Sequence, residues 1–213
     1  MTPDTTLEKS RIVKPVAVAV EGSDYYYTLL SQIKDHPQLQ EVQLWDFKGA
    51  HNGNLGRWLK LFTTLEGYGD KIRAIGVIRD AEEDAASTLQ STAQALTNVG
   101  LAPPARPMEV TAGRPAIGIL VMPHNSPSGC LEHAIIEARQ PDVPLRCAEE
   151  YLHCIGVGLK NENWQAKVKV HALIAAGQNP AWTLSQSVAG GLWDLTHSSL
   201  KIMKDFMRLL CGP

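Results

Sequence analysis

None of the four cysteines, Cys130, Cys147, Cys154 and Cys211, belongs to a Cys-x-x-Cys pair, which speaks against a zinc knuckle. Cys147 and Cys154 lie two helical turns apart on one face, roughly 10 Å at 1.5 Å per residue, too far for a disulfide. Buried free thiols in a reducing cytoplasm are therefore expected. No apolar run approaches the roughly 18 residues that would suggest a membrane span. The opening MTPDTTLEKSRIVKP lacks the apolar core of a secretory signal and reads as a frayed arm. No Gly-x-x-x-x-Gly-Lys-Ser/Thr occurs, so no P-loop ATPase is expected. Internal repeats and low-complexity stretches are missing as well.

Charge is equally modest. The net charge of −2 over 213 residues excludes a polycation. Its distribution is uneven: residues 160–213 hold six Lys/Arg against three acids, +3, which leaves −5 for the remainder. A mildly basic tail beside an acidic body permits a phosphate-bearing partner without demanding one. Hydrophobic residues at 44% and charged residues at 20% fit a globular chain with one domain, or one domain with an appendage.

What is present is an alternation. VAVAV, residues 16–20, VQLWDF and IRAIGVIRD read as strands, the first and third as nearly unbroken apolar runs of the kind buried on both faces of a parallel sheet. Between them, Tyr26, Leu29, Leu30 and Ile33 mark one helix face, and Leu55, Trp58, Leu59 and Phe62 another. Ala86, Leu89, Ala93 and Leu96 mark a third, stopped by Gly100. MEVTAG and AIGILVMP read as two further strands, antiparallel to each other because a short turn joins them. GCLEHAIIEA reads as a short helix. From residue 144 strand signals stop, and helices follow: one on Leu145, Ala148, Leu152 and Ile155, one over WQAKVKVHALIAA, and one on Leu200, Met203, Met207 and Leu210. The expected fold is α/β, a mostly parallel, Rossmann-like sheet with helices on both faces. It divides into an arm at 1–13, a core at 14–143 and a helical extension at 144–213 packed on that core.

Acids cluster where strands end. Glu21 follows the first strand directly, and Asp80 and Glu82 close the third. In open α/β sheets this edge is where ligands bind. Were the two strands neighbours, their ends would lie roughly 5 Å apart. Three carboxylates so placed require a counter-charge, and a hard cation such as Mg²⁺ is the natural one. Glu83 and Asp84 read equally well as acids opening a helix, and Asp80 as a helix cap.

VEGSD after one strand and VIRDAEED after another resemble the TOPRIM domain, whose motifs are Glu-Gly after the first strand and Asp-x-Asp after the third. GILVMPHNSPSGCLEHAI, WQAKVKVHALIA and GGLWDLTHSSLKIMKDFMRLL are similar to a small prokaryotic branch of TOPRIM proteins. Its nearest functional relatives are the nuclease domains of the OLD (overcoming lysogenization defect) family. The resemblance covers roughly residues 14–211. It implies metal-dependent phosphodiester chemistry on nucleic acid, with Mg²⁺ or Mn²⁺ as cofactor. Glu21 would be a metal ligand or general base, Asp24 a ligand of a second metal, Asp80 and Glu82 the acidic pair, and Glu132 the late metal-binding glutamate. Lys167 or Lys169 would neutralise the scissile phosphate. Two positions depart from the pattern. Glu82 is one methylene longer than Asp, and His124 stands where relatives read Asp in Pro-Asp-Asn. The second reading is therefore a non-catalytic module that binds nucleic acid, nucleotide or a protein partner. The chain offers no lysine after its last parallel strand, as a receiver domain would, and Glu-Gly where a haloacid-dehalogenase-type phosphatase has Asp-x-Asp. Without a tyrosine-nucleophile domain or primase zinc module, topoisomerase and primase roles are not expected, and Tyr25, Tyr26 and Tyr27 read as packing residues.

Overall fold

The computed structural model describes residues 11–34, 36–51, 54–139, 143–156 and 161–212. Four parallel strands form its sheet in the order β2-β1-β3-β4: β1 (Val16–Val20), β2 (Val42–Asp46), β3 (Ala74–Asp80) and β4 (Ala116–Met122). Strand β1 pairs with β3 from Val16↔Ala74 to Val20↔Ile78, so the two acid-bearing strand ends are neighbours. MEVTAG does not become a fifth strand. Val110 makes a single antiparallel bridge to Gly118, and Met108 N–H and Thr111 N–H bond to the carbonyls of Ile119 and Ile117. The expected direction is kept, but Ile117 N–H donates to the Thr111 side-chain oxygen at 2.9 Å rather than to a backbone carbonyl, and no ladder develops.

Alternation along the strands splits the core in two. Val16, Val18, Val20, Ile78, Leu120 and Met122 face one side. Against them lie α1 (Ser23–Lys34), α6 (Leu131–Glu137), α8 (Glu162–Ala175), α9 (Leu184–Ala189) and α10 (Ser198–Cys211). Ala17, Ala19, Ile75, Val77, Ile119 and Val121 face the other side, under α3 (Leu55–Phe62) and α5 (Ala85–Thr97). Short α2 (Phe47–His51) and α4 (Tyr68–Lys71) complete the second face, and α7 (Val143–Cys154) packs beside α8.

The late helices reach the sheet itself. Gly76 and Gly118 are register partners on β3 and β4. A Cβ on Gly76 would collide with Leu210 and one on Gly118 would stand 2.9 Å from Phe206 Cε2. The two glycines thus form a trough for one turn of α10, which follows Leu200, Met203, Phe206, Met207 and Leu210, all buried.

Several details differ from the sequence reading. Of the arm expected at 1–13, residues 1–10 lie outside the described residues. Ile12 is fully buried, and the Gln43 side chain clamps the neighbouring backbone, accepting from Val13 N–H and donating to the Arg11 carbonyl. The buried stripe of α1 runs through Tyr25, Thr28, Leu29, Gln32 and Ile33, while Leu30 is exposed. On α5 it runs through Thr88, Thr92 and Leu96, leaving Ala86 outside. Buried threonine is tolerated there because Thr92 Oγ1 donates back to the Thr88 carbonyl at 2.7 Å. Helix α7 ends at Cys154, leaving Ile155 half exposed beyond it. All four cysteines are free, but Cys147 and Cys154 are exposed and only Cys130 is buried. Among the described residues no helix is long and apolar enough to cross a membrane.

Candidate functional site

Three connections leave the carboxyl edge of the sheet carrying acids. Strand alternation first separates them. Asp80 follows Ile78 and faces the α1/α6 side, whereas Arg79 faces the α5 side. Glu21, one residue past Val20, turns to the Arg79 side. Its Oε2 accepts from Arg79 Nε at 3.1 Å, and Lys48 Nζ stands 3.9 Å from Oε1. Arg79 is braced by Ser91 Oγ and Thr92 Oγ1 of α5. Glu21 is therefore a nearly buried carboxylate with its counter-charge in place, as an ion taken out of water requires. Sequence reasoning missed Arg79. The signal present was a lone cation inside an apolar strand; that it stands opposite Glu21 follows from the register of β1 on β3, Val20↔Ile78.

Asp80 is the centre of the other group. Only 8% of it is exposed. Its Oδ1 accepts two hydrogen bonds, from the Tyr25 hydroxyl and from Leu131 N–H at 2.8 Å. The second donor is the first amide of α6, so Asp80 does act at a helix start, though not that of the helix next to it in sequence. Asp84 caps that one, accepting from Ala86 N–H. Tyr25, expected only to pack, is thus part of the site. Burial raises the Asp80 carboxyl to about 7; the Tyr25 hydrogen bond opposes this, and the fields of Glu132, Glu21 and Glu82 add to it. With Oδ1 committed to two donors, Oδ2 is the oxygen left to carry a proton or meet a cation.

Glu82 sits at a positive φ of 54°, rare for a residue with a side chain. It is held by a reciprocal pair of backbone hydrogen bonds with Gly129, each 2.8 Å. Gly129 has a φ of 127°, and a Cβ there would press on Pro123, so glycine is required. This bridge ties the end of β3 to the start of α6. The Glu82 Oε2 then accepts from Asn163 Nδ2 of α8 at 3.0 Å.

A cleft of about 620 Å³ opens beside these acids, between α1, α6, α8 and the segment leading into α9. Glu132 and Lys167 face into it, as does Asp24, whose Oδ1 accepts from Ser185 Oγ at 2.7 Å. Burial tends to lower the Lys167 ammonium, but Glu132, Cys130, Asp80 and Glu82 outweigh it and raise the group. Lys169, the alternative lysine, pairs with Glu149 of α7 at 2.9 Å. The two lysines are two apart on a helix and so cannot face the same way. His124 lies in a different, smaller cleft with Glu137, Ser198 and Ser199, and it does not contribute to the field on Asp80.

Asp80 thus lies in the field of Glu132 and Glu82, and Glu132 shares the cleft lining with Lys167 and Asp24. Glu21 stays within electrostatic reach but is turned to Arg79. Among the described residues, no three Asp, Glu, His or Cys side chains already stand close enough to hold a metal ion.

Fold and edge together define the class: an α/β protein with an all-parallel sheet, sandwiched between helices, carrying an acidic, lysine-capped cleft at the carboxyl ends of its strands. More particularly, the chain belongs to DUF3226, described as a family of proteins of unknown function, which it matches over residues 15–212. No curated protein and no solved structure matches it.

Proposed function

We propose that the protein carries out metal-dependent phosphodiester chemistry on nucleic acid, most simply hydrolysis, as the resemblance to TOPRIM and OLD-type nuclease domains implies. The observation that supports this is the state of Asp80. It is a buried acid raised to about 7, in part by three neighbouring carboxylates, at a strand end beside an open cleft. Such a field is unfavourable unless a cation answers it, and active sites are where such shifts gather. The donors are all carboxylate oxygens, which suits Mg²⁺ or Mn²⁺. Asp80, Glu82 and Glu132 would hold the first ion, with Glu21 released from Arg79 to join them, and Asp24 would help hold a second. A bound ion supplies charge at the attacking and leaving oxygens of an in-line displacement.

The chain's own groups do the rest. Lys167 neutralises the phosphate entering from the cleft. Tyr25 fixes the orientation of the Asp80 carboxyl from one side and the α6 amide fixes it from the other. Arg79 holds the Glu21 carboxylate in place through the 3.1 Å hydrogen bond until it is released to the site, where Glu21 is the group to accept a proton. Lys169, tied to Glu149, is assigned no part in the chemistry. A cytoplasmic location belongs to the same proposal and accords with four free cysteines.

One observation favours the second reading, a binding module that does not cut. Glu21 is already neutralised by Arg79 and Lys48. The two readings separate in a cleavage assay with Mg²⁺ or Mn²⁺ on single- and double-stranded DNA and RNA. Cleavage that Asp80→Asn abolishes supports the enzyme. A wild-type protein that binds nucleic acid, nucleotide or a partner protein but cuts nothing leaves only the module.

A further inference from the structure

The cleft beside Asp80 has a size, a wall chemistry and a brace that the phosphodiester reading leaves unused. At about 620 Å³ it lies within the ordinary range for a small-molecule site. A compact volume of that size is only about 10 Å across, too small for both backbones of a duplex, which are held apart by grooves roughly 12 and 6 Å wide. A base pair in a helix cannot enter it; one unpaired nucleotide can.

The walls match that guest. Tyr27 of α1 is 42% exposed and lines the cleft. Its ring is steadied by an edge-to-face contact with Tyr26, centroids 5.3 Å apart at 79°. A partly exposed aromatic ring therefore lines the cleft, and stacking on such a ring is the sequence-tolerant mode by which single strands are held. Gln186 stands at the start of α9. Its Oε1 accepts from Thr183 N–H at 2.8 Å, which orients the side chain and leaves its amide N–H groups for a base edge. Asp24 and Ser185, already bonded to each other, place an acceptor nearby for an exocyclic amino group. Lys167 lies on the α8 wall facing Glu132, so a nucleotide with its base on Tyr27 presents phosphate toward the acids.

We infer that this cleft receives one unpaired nucleotide of a nucleic-acid strand, its base stacked on Tyr27 and its phosphate drawn toward Lys167. The inference rests on the proposed function for the identity of the strand, and it makes single-stranded or frayed ends the substrate in place of intact duplex. Enzymes that work on a nucleotide a helix would hide must take it unpaired.

The experiment is fluorescence anisotropy with Ca²⁺ in place of Mg²⁺, a cation that carboxylate oxygens hold, with the probe checked on a gel to be uncut. The probes are labelled 12-nucleotide single strands of DNA and RNA and a blunt duplex of the same sequence. Wild type should prefer a single strand to the duplex. Tyr27→Ala should weaken single-strand binding at least about five-fold, the low end for loss of one stacked base. Tyr27→Phe should retain binding, because the ring face is kept. Ala189→Leu, which adds bulk to the cleft lining, should weaken binding with the far-ultraviolet circular dichroism unchanged. Equal affinity of wild type and Tyr27→Ala overturns the inference. So does duplex binding as tight as single-strand binding, a wild type that binds no strand, or a free mononucleotide bound tightly with no affinity for strands. The two readings fail separately. Tyr27-dependent binding without any metal-dependent cleavage sinks the chemistry and keeps the cleft; cleavage with Tyr27 indifferent does the reverse.

Discussion

Replacing Asp80 by Asn should make the metal-free protein more stable at pH 8. In the folded chain the carboxyl titrates near 7 against an ordinary value of 3.8. Below about pH 4 the group is protonated in both folded and unfolded chains and contributes no pH dependence. Between about 4 and 7 the unfolded chain has released the proton and the folded chain still holds it, so stability falls as pH rises. Above about 7 both are ionised and the loss is complete. A displacement of about three pH units corresponds to roughly 4 kcal/mol. Asn is shaped like the protonated acid. Its carbonyl oxygen can keep the hydrogen bonds from Tyr25 and Leu131 N–H that Oδ1 now accepts. Urea unfolding followed by tryptophan fluorescence, in EDTA from pH 4.5 to 8.5, gives both stability curves. Their difference isolates Asp80 from every other titrating group. It should move by up to roughly 3 kcal/mol in favour of Asn between the ends of that range, part of the change lying below pH 4.5, and is discounted for relaxation of the site. Parallel curves would refute the argument, because Asp80 would then be ionised without penalty. Adding Mg²⁺ at pH 8 should stabilise wild type and leave Asp80→Asn unmoved, since only a bound ion can answer the field on that carboxylate.

Glu21→Gln should leave the circular dichroism intact while lowering Mg²⁺- or Mn²⁺-dependent cleavage by about 10²–10⁴-fold, the usual worth of a general base; cleavage at the wild-type rate would remove Glu21 from the site. Lys167→Ala should reduce the cleavage rate more than it reduces metal affinity. Lys169→Ala should lose only a partly exposed pair with Glu149, about 0.5 kcal/mol in a denaturation curve, with little change in rate. Gly76→Ala should destabilise by roughly 1–3 kcal/mol because the new methyl enters the space of Leu210. Pairing it with Leu210→Ala should give a cost smaller than the sum of the single changes.

Much of the architecture is written in local pattern. A short Val/Ala run such as Val16–Val20, closed by Gly and Ser, reads as a strand buried on both faces, as it is, and so puts the carboxylate after it at the carboxyl edge of the sheet. Leu55, Trp58, Leu59 and Phe62 meet at helical spacing whatever surrounds them, and all four are buried. Period alone put the stripe of α1 on Tyr26, Leu29, Leu30 and Ile33, whereas the fold buries Tyr25, Thr28, Leu29, Gln32 and Ile33. Burial of Gln32 became tolerable only because its amide donates to the Leu200 carbonyl, far along the chain.

Within the candidate site the same division holds. The residue types, and their placement at strand ends, follow from the chain read in order. Which carboxylate is neutralised, and by what, depends on groups distant in sequence. Arg79 meets Glu21, the Leu131 amide meets Asp80, Asn163 meets Glu82, and Ser185 meets Asp24 across 161 residues. Strand alternation sends Glu21 and Asp80 to opposite faces, and only the packing of α1 over β3 could make Tyr25 a partner of Asp80. Lys167 and Lys169 are likewise equivalent along the chain, and the fold sets Lys167 in the cleft lining and pairs Lys169 with Glu149 of α7. A side chain's charge and size are local properties. The field it feels is the sum over every element folded around it, and that sum exists only once the helices have closed on the sheet.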